Sequence, residues 1–258
     1  MQDLREHLDV ISKIKNKILQ YGGGKIIFLT ISGSHLYGFE SEDSDIDYRG
    51  TFITDTNNLL GLKSLTDVIE MEENDNDIVL FEIKKEIGLA LSGNCNVLEH
   101  INAKPIISTA EFVKLRQLVN NAFGKNGLYN SYKGMATFNY KKFILQGRNT
   151  IKKYLYVFRG LMAGIYVLQT GIIKPNIEEL NQYFKFPEVK QLIKLKKEGK
   201  ESETPPKDLD TGNLEDRINY LFEKIDDAYL KSKIPERPDE EDVKALDEFL
   251  KKIRKDML

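Results

Sequence analysis

The 258-residue chain lacks several features that define common protein classes. Its single cysteine, Cys95, cannot form an internal disulfide and excludes a cysteine-rich zinc module. Its three histidines lie far apart, without the spacing of metal ligands. It has no run of about 18 apolar residues, so we expect no transmembrane helix. The polar N-terminus is unlike a signal peptide, and we therefore expect a reduced, soluble, cytoplasmic protein without a membrane partner.

The charges of the chain nearly cancel. It has 40 acidic and 38 basic residues, and its net charge is −2. A protein that binds duplex nucleic acid by charge alone is usually basic overall, so long duplex DNA is not an expected partner. A short RNA end, bound in a local basic groove, is compatible with this composition.

The apolar pattern divides the chain into two regions. Residues 1–105 contain short β-branched runs separated by turns, and predict strands at 25–31, 46–54, 66–71 and 77–81. Residues 106–258 have mostly helical spacing, interrupted by a charged, lysine-rich surface segment at 188–211. We predict an α+β fold in which a small mixed β-sheet core at 1–105 is flanked by helices. A C-terminal helical region at 106–258 then completes a cleft that holds the active site.

Two aspartates in residues 31–52 (ISGSHLYGFESEDSDIDYRGTF) are the first candidate site residues. Asp45 and Asp47 flank the apolar Ile46, and side chains two apart on a strand point to the same face, roughly 6.6–6.8 Å apart along the chain. Such a pair can hold Mg²⁺, which prefers oxygen ligands and keeps positions open for substrate phosphates. The D-x-D pattern alone is also common on solvent faces, so its meaning depends on its surroundings.

A glycine-serine turn precedes these aspartates. Gly33 allows the backbone to approach a ligand without an intervening Cβ, and the Ser34 hydroxyl with nearby N–H groups can bind phosphate oxygens. A second glycine, Gly38, follows four residues after Ser34, and about ten residues separate Ser34 from the D-x-D. This order of strand, turn, aspartates and strand is much more specific than either motif alone.

The order G-S-x-x-x-G followed by S-D-x-D resembles the nucleotidyltransferase superfamily of DNA polymerase β. Further blocks resemble one branch, the RNA-ligase-associated (RlaP-type) predicted nucleotidyltransferases. These blocks are Y-R-G at 48–50, D-I-V-L-F-E-I-K-K-E-I at 77–87, G-N-C-N-V-L-E at 93–99 and K-K-Y-L-Y-V-F-R at 152–159. The chain departs from the branch at His35 and Leu36, where arginine and alanine are expected, and at Cys95, where proline is usual.

The resemblance implies a nucleotidyltransferase core that uses Mg²⁺ or Mn²⁺. Such an enzyme transfers a nucleoside monophosphate from a nucleoside triphosphate such as ATP to an acceptor hydroxyl and releases pyrophosphate. The resemblance places Gly33 and Ser34 on the triphosphate and Asp45 and Asp47 on the metal.

It also implies a third catalytic acid on a neighbouring strand, for which two residues compete. Asp77 opens a predicted strand and is preferred as catalytic and metal-binding residue. Glu82, with the opposite strand parity, is the alternative metal ligand.

Cationic residues are needed to bind the phosphates. Lys152, Tyr156 and Arg159 recur at helical spacing and form one stripe, which is a solvated face on spacing alone and a nucleotide-binding stripe if the resemblance holds. Arg49 has a similar nucleotide-binding role or pairs with a buried acid. Lys153 lies about 100° around the helix from Lys152 and is not expected on the stripe.

The acceptor has three candidate interpretations. The resemblance favours an RNA 3′ end, and therefore a role in RNA repair or modification. The second candidate is a protein side chain that receives AMP. The third is a non-catalytic, nucleotide-binding regulatory module, against which the complete set of acids argues.

Overall fold

The computed structural model describes residues 4–62, 64–73, 76–199, 204–206 and 209–258. Five strands in this part of the chain form one mixed sheet in the order β3-β4-β2-β1-β5. They are β1 (Lys25–Ile31), β2 (Tyr48–Ile53), β3 (Val68–Glu73), β4 (Asn76–Glu82) and β5 (Pro105–Ser108). Strands β2 and β4 are parallel and the other neighbours antiparallel, so the α+β prediction with a mixed sheet is confirmed.

Helices surround the sheet and make up the second half of the chain. Those before β5 are α1 (Leu8–Gln20), α2 (Gly33–Tyr37), α3 (Thr56–Leu59), α4 (Ile83–Leu91) and α5 (Cys95–Asn102). Those after β5 are α6 (Ala110–Val119), α7 (Lys125–Asn139), α8 (Ile151–Thr170), α9 (Ile177–Phe184), α10 (Pro187–Glu198), α11 (Thr211–Lys231) and α12 (Glu240–Lys255). A π-helical turn, Tyr140–Ile144, continues α7. In the described residues, no helix combines the length and apolar composition needed to cross a membrane.

Local sequence signals explain where several helices begin and end. The side chains of Asn94, Thr109 and Thr150 accept hydrogen bonds from backbone N–H groups in the first turns of α5, α6 and α8. Gly171 ends α8 in the left-handed conformation that favours glycine, with φ 74°. The Thr150 cap fixes where α8 begins, and therefore places Lys152 in its first turn.

The sheet has an apolar cluster on each face. On one face, α1 packs on the strands through Ile11, Ile14 and Ile18. On the other, a larger cluster joins the sheet to helices from both halves of the chain, around a largely buried α8. Strand β5 (Pro105–Ser108) crosses the predicted division after residue 105 and is an edge strand of the same sheet. The division into 1–105 and 106–258 stays a prediction, and the two regions share this larger core.

The segment at 188–211 was predicted to be a charged surface segment, and the structure differs from this prediction. Its first part belongs to α10. Although the sequence of this helix is highly charged, one face is buried, with Val189, Leu192, Ile193 and Lys196 at helical spacing. The Lys196 ammonium donates a hydrogen bond to Ser41 Oγ, in the turn that precedes Asp45. A lysine from the helical region therefore supports the loop that carries the aspartates. Residues 200–203 and 207–208 of the segment lie outside the described residues.

Candidate active site

The two aspartates lie in an extended segment immediately before β2, whereas the prediction placed them on the strand itself. The Ser32 N–H donates to the Asp47 carbonyl at 2.8 Å and continues the β1–β2 ladder one residue beyond the pair Ile31–Tyr48. Asp47 is half-buried and Asp45 is exposed. Ile46 packs against the apolar cluster under α1, so the predicted alternation of polar and apolar side chains is present.

Asp77 lies beside Asp47 because of the register of two parallel strands. Tyr48 in β2 pairs with Ile78 in β4, so the residues that precede them, Asp47 and Asp77, are neighbours at adjacent strand ends. The Arg49 Nη2 atom is 2.6 Å from Asp77 Oδ2 and 3.6 Å from Asp47 Oδ1. The two carboxylates therefore converge on one cationic nitrogen.

The Asp47 carboxyl has a pKa above the ordinary value for aspartate. Burial raises its pKa above the ordinary value for aspartate, and the neighbouring charges of Asp77 and Asp45 raise it further. Arg49 and Lys152 lower the pKa and offset part of this effect. Since the net direction is upward, additional positive charge at this position stabilises the ionised carboxylate.

Gly33 brings the backbone against the Asp47 side chain. Its φ is 62°, and a Cβ at this position would overlap Asp47 Oδ2 and lie 2.8 Å from Asp47 Cγ. Glycine is thus required by the backbone conformation and by the close approach. Ser34 follows in the first turn of α2 and is buried, and its carbonyl accepts a hydrogen bond from the Gly38 N–H at 3.0 Å.

A cleft of about 500 Å³ opens at the Asp47 carboxylate, between the sheet and the helices. Its sheet side includes Ser32, Gly33, Asp47 and Arg49, and its helical side includes Asn96, His100, Asn139, Lys152, Lys153 and Tyr156. Ser34, Asp45 and Asp77 are not among the described residues that line it. The structure thus brings together residues that lie more than a hundred positions apart in the sequence.

Several residues of the cleft were not predicted. Lys153 lines it together with Lys152, because both lie in the first turn of α8, where more than one helix face borders the opening. His100 also lines it and forms a buried hydrogen bond with Glu86 at 2.7 Å. Asn139 ends α7, and no sequence pattern connects it to the motifs. Only the packing of α5, α7 and α8 identifies these residues.

The structure does not bring Arg159 into the cleft. The residue is fully buried, with Nη1 2.6 Å from Glu99 Oε1 and its guanidinium 3.7 Å from the centroid of the Tyr37 ring. Burial works to lower its pKa, but Glu99 together with Tyr37, Cys95 and Tyr156 raises the pKa by more, so the guanidinium stays charged. Seven residues along α8 correspond to about 10 Å, and at that depth the predicted stripe meets α5 instead of the cleft.

Glu82, the alternative third acid, also lies away from the cleft. It pairs with Phe52 at the opposite end of β4 from Asp77, roughly 16 Å along the strand. It is buried and caps α4, accepting from the Lys84 N–H at 2.9 Å, and its other oxygen accepts from Arg254 of α12. One oxygen therefore caps α4, and the other joins α12 to the end of β4.

The carboxylates of Asp47 and Asp77 provide the oxygen ligands that a divalent cation such as Mg²⁺ prefers. Among the described residues, no three His, Cys, Asp or Glu side chains form a group that could hold a metal by themselves. Asp47 and Asp77 nevertheless converge on one positive nitrogen, and Mg²⁺ is usually held by one or two carboxylates together with substrate phosphates. The pair therefore fits such an ion when a triphosphate supplies the remaining oxygens.

A larger cavity, of about 830 Å³, lies on the other side of α2. It is lined by His35, Leu36 and Glu40 of the sheet region and by Lys104 and Lys174, among others. None of the three predicted catalytic aspartates borders it, whereas Asp47 lines the smaller cleft, so we assign the chemistry to the smaller cleft. The two departures from the superfamily turn, His35 and Leu36, face this cavity and do not alter the wall of the cleft.

A mixed sheet with a Gly-Ser turn and aspartates before its central strand defines the polymerase β-like nucleotidyltransferase class. The family model described as the RNA repair pathway DNA polymerase beta family (RlaP) matches residues 2–252, and the chain belongs to this family. The resemblance noted in the sequence is therefore confirmed.

Relatives and a solved structure complete the comparison. The chain is 31% identical over 229 residues to YcgL of Bacillus subtilis, covering 84% of this chain and 83% of the relative. It is 27% identical over 219 residues to MJ0002 of Methanocaldococcus jannaschii, covering 83% and 88%. Neither name states an activity. A nucleotidyltransferase-like protein of Exiguobacterium sibiricum matches 96% of this chain and 79% of its own at 14% identity, with a TM-score of 0.28, too low to support an argument.

Proposed function

We propose that the chain transfers a nucleoside monophosphate from a nucleoside triphosphate to the hydroxyl of an RNA end, with a divalent cation, and releases pyrophosphate. The observation that carries this proposal is that Asp47, which converges with Asp77 on the Arg49 guanidinium, lines a cleft whose opposite wall carries Lys152 and Lys153. Transfer of a nucleotidyl group requires carboxylates that hold a cation and, opposite them, side chains that bind phosphate. The RNA acceptor rests on the description of the family.

Asp47 and Asp77, with the exposed Asp45 beside them, are the residues that hold the cation. When bound, the cation neutralises phosphate charge and lowers the pKa of the acceptor hydroxyl. Gly33 keeps the Asp47 carboxylate in place, since the backbone lies directly against it. Arg49 lines the same cleft while it bonds to Asp77, so its guanidinium can also donate to a phosphate oxygen.

The start of α8 supplies the binding groups for the phosphates. Lys152 and Lys153 lie in the first turn of a 20-residue helix, where the helix dipole adds a favourable field for anions. The ring of Tyr156 also lines the cleft, held edge-on by Tyr37 at 5.8 Å and Phe39 at 5.6 Å between centroids. This rigid ring offers an apolar surface to the nucleoside part of the substrate.

The proposal is tested by following label from the triphosphate. The protein is incubated with α-labelled or γ-labelled nucleoside triphosphate, Mg²⁺, and either short single-stranded RNA or cell protein. We expect the α-label in RNA and the γ-label in pyrophosphate. Label in protein alone would replace the RNA acceptor with a protein side chain, and nucleotide binding without any transfer would refute an enzymatic function.

Two matched variants identify the third acid. Asp77→Asn should reduce transfer by about 100-fold or more, the size of effect seen when a group that stabilises charge at a reaction centre is removed. Glu82→Gln should retain transfer in the folded protein, because Glu82 lies at the far end of β4. Circular dichroism confirms that each variant is folded. The opposite ranking of the two variants would contradict the assignment of Asp77.

A further inference from the structure

The segment on the helical side of the cleft is basic and contains no acid. From residue 112 to residue 177 the sequence has no aspartate or glutamate, although the chain as a whole has 40 acids and a net charge of −2. Within this segment, Lys141, Lys142 and Arg148 are exposed between α7 and α8. These three make no ion pair with any residue that the structure describes. Positive charge therefore accumulates next to the cleft.

Aromatic rings lie between these cations. The Phe138 side chain is 56% exposed, and its ring meets Phe143 edge-on, 6.3 Å between centroids. The Lys142 Nζ is 4.8 Å from the Phe138 centroid, and the Lys153 Nζ is 4.0 Å from the Phe143 centroid. We name this set the basic-aromatic surface. Its members are Phe138, Lys141, Lys142, Phe143, Arg148 and Lys153.

The π-helical turn Tyr140–Ile144 produces this arrangement. In an α-helix, side chains five apart point about 140° away from each other. The wider turn instead brings Phe138 and Phe143 into contact on one face. Such turns within helices are frequent at functional sites, because they present side chains that a regular helix would separate.

The basic-aromatic surface is continuous with the cleft. Lys153 belongs to both, and its Nζ lies 5.9 Å from the centroid of the Tyr156 ring, which lines the cleft. Asn139, next to Phe138 in the chain, lines the cleft as well. A row of contacts thus leads from the exposed Phe138, through Phe143 and Lys153, to the candidate site.

Acids on the neighbouring helix do not pair with the exposed cations of the surface. Helix α11 packs on Tyr140 through Phe222, and its Glu215 and Asp216 act electrostatically on that tyrosine. In the described part of the chain, neither acid pairs with Lys141, Lys142 or Arg148. These three side chains therefore expose cations that no acid of α11 pairs with.

We propose that the basic-aromatic surface binds a single-stranded nucleic acid and guides its end into the cleft. The phosphates of a single strand meet the exposed cations, while its unpaired bases stack on Phe138. A duplex conceals its base faces and gains only the electrostatic contribution. The role of this strand as acceptor rests on the proposed function, whereas its binding is measured independently of any transfer.

The test is a titration of fluorescently labelled RNA of about 12 nucleotides, single-stranded or as a duplex, followed by anisotropy at several salt concentrations. We expect tighter binding of the single strand. Phe138→Ala should weaken it about tenfold, within the range for loss of one stacked base, and Phe138→Trp should restore it. The triple variant K141A/K142A/R148A should reduce the salt-dependence slope of log K by about 2, because about 0.7 counterions are released per phosphate contact on a single strand.

A matched control separates local binding from overall charge. The triple variant K15A/K244A/K255A removes the same charge from exposed positions on α1 and α12 and should leave the affinity and the salt slope near the wild-type values. Equal losses in both triple variants, an unchanged affinity of Phe138→Ala, or equally tight binding of the duplex would each overturn the proposal.

Binding of Mg²⁺ and nucleoside triphosphate to the same variants separates the two proposals. The substituted residues do not line the cleft, so nucleotide affinity should be unchanged while RNA affinity falls. If the wild-type protein binds the single strand through this surface but transfers nothing, the proposed function is refuted and the proposed binding surface is not. A protein that transfers nucleotide with full efficiency to RNA in all the surface variants would refute the surface alone.

Discussion

The substitution Gly33→Ala tests the geometry of the site most directly, because it acts on Asp47 without changing any charged group. Gly33 has φ 62°, a conformation that costs a residue with a Cβ roughly 1–2 kcal/mol. The added Cβ would also overlap Asp47 Oδ2 and lie 2.8 Å from Asp47 Cγ. The carboxylate must therefore leave its position beside Asp77, and we expect a loss of transfer of about 100-fold or more.

Gly171→Ala is the matched control for the backbone cost. Gly171 has φ 74°, and a Cβ there meets no atom within 4 Å. This variant should lose only about 1–2 kcal/mol of unfolding free energy and keep its activity. Gly33→Ala carries the same backbone cost and an overpacking cost of about 1–3 kcal/mol in addition.

Urea unfolding and the label-transfer assay measure the two effects separately. In the Asp47→Ala background the obstacle to the new Cβ is largely removed, so the stability cost of Gly33→Ala should fall toward that of Gly171→Ala. The reasoning is refuted if Gly33→Ala and Gly171→Ala are equally active. It is refuted equally if the cost of Gly33→Ala is the same with and without the Asp47 carboxylate.

Two further substitutions test the electrostatics. Asp47→Asn should raise the melting temperature at pH 7, because burial raises the pKa of this carboxyl and its ionised form therefore costs stability. That cost is absent below the unfolded-state pKa of about 4 and grows as the pH rises through the folded pKa. The gain in melting temperature should therefore vanish near pH 3 in thermal scans. A lower melting temperature of Asp47→Asn at pH 7 would contradict this reasoning. Arg159→Ala should cost about 3–5 kcal/mol in urea unfolding, because it leaves Glu99 buried without its partner. The double variant R159M/E99L should cost much less, and equal losses would show that the ion pair is not the source of the effect.

The candidate site was predictable where the motif is continuous in the chain. Gly33, Asp45 and Asp47 lie within 15 residues, and their order along a strand, a turn and a second strand determines their proximity. Asp77 was preferred over Glu82 from the position of each on a predicted strand. The register that pairs Tyr48 with Ile78, and Phe52 with Glu82, places only Asp77 beside Asp47.

Residues distant in the chain were harder to place. The spacing of Lys152, Tyr156 and Arg159 on one helix face was recognised, and two of them line the cleft. Arg159 instead pairs with Glu99, because α8 is covered along most of its length by other helices. Lys196 shows the same limit, since a lysine in a charged run was expected in solvent and supports the turn before Asp45.

The sequence by itself determined the family, the order of the elements and the candidate site residues that lie close together in the chain, because turns, caps and period-two or helical patterns depend on neighbours in the chain. Tertiary structure alone decided which acid joins Asp47, which cations reach the cleft and how Phe138 comes to lie beside Phe143. These outcomes depend on strand register and on the packing of helices against one another, and both are set by contacts between residues far apart in the sequence.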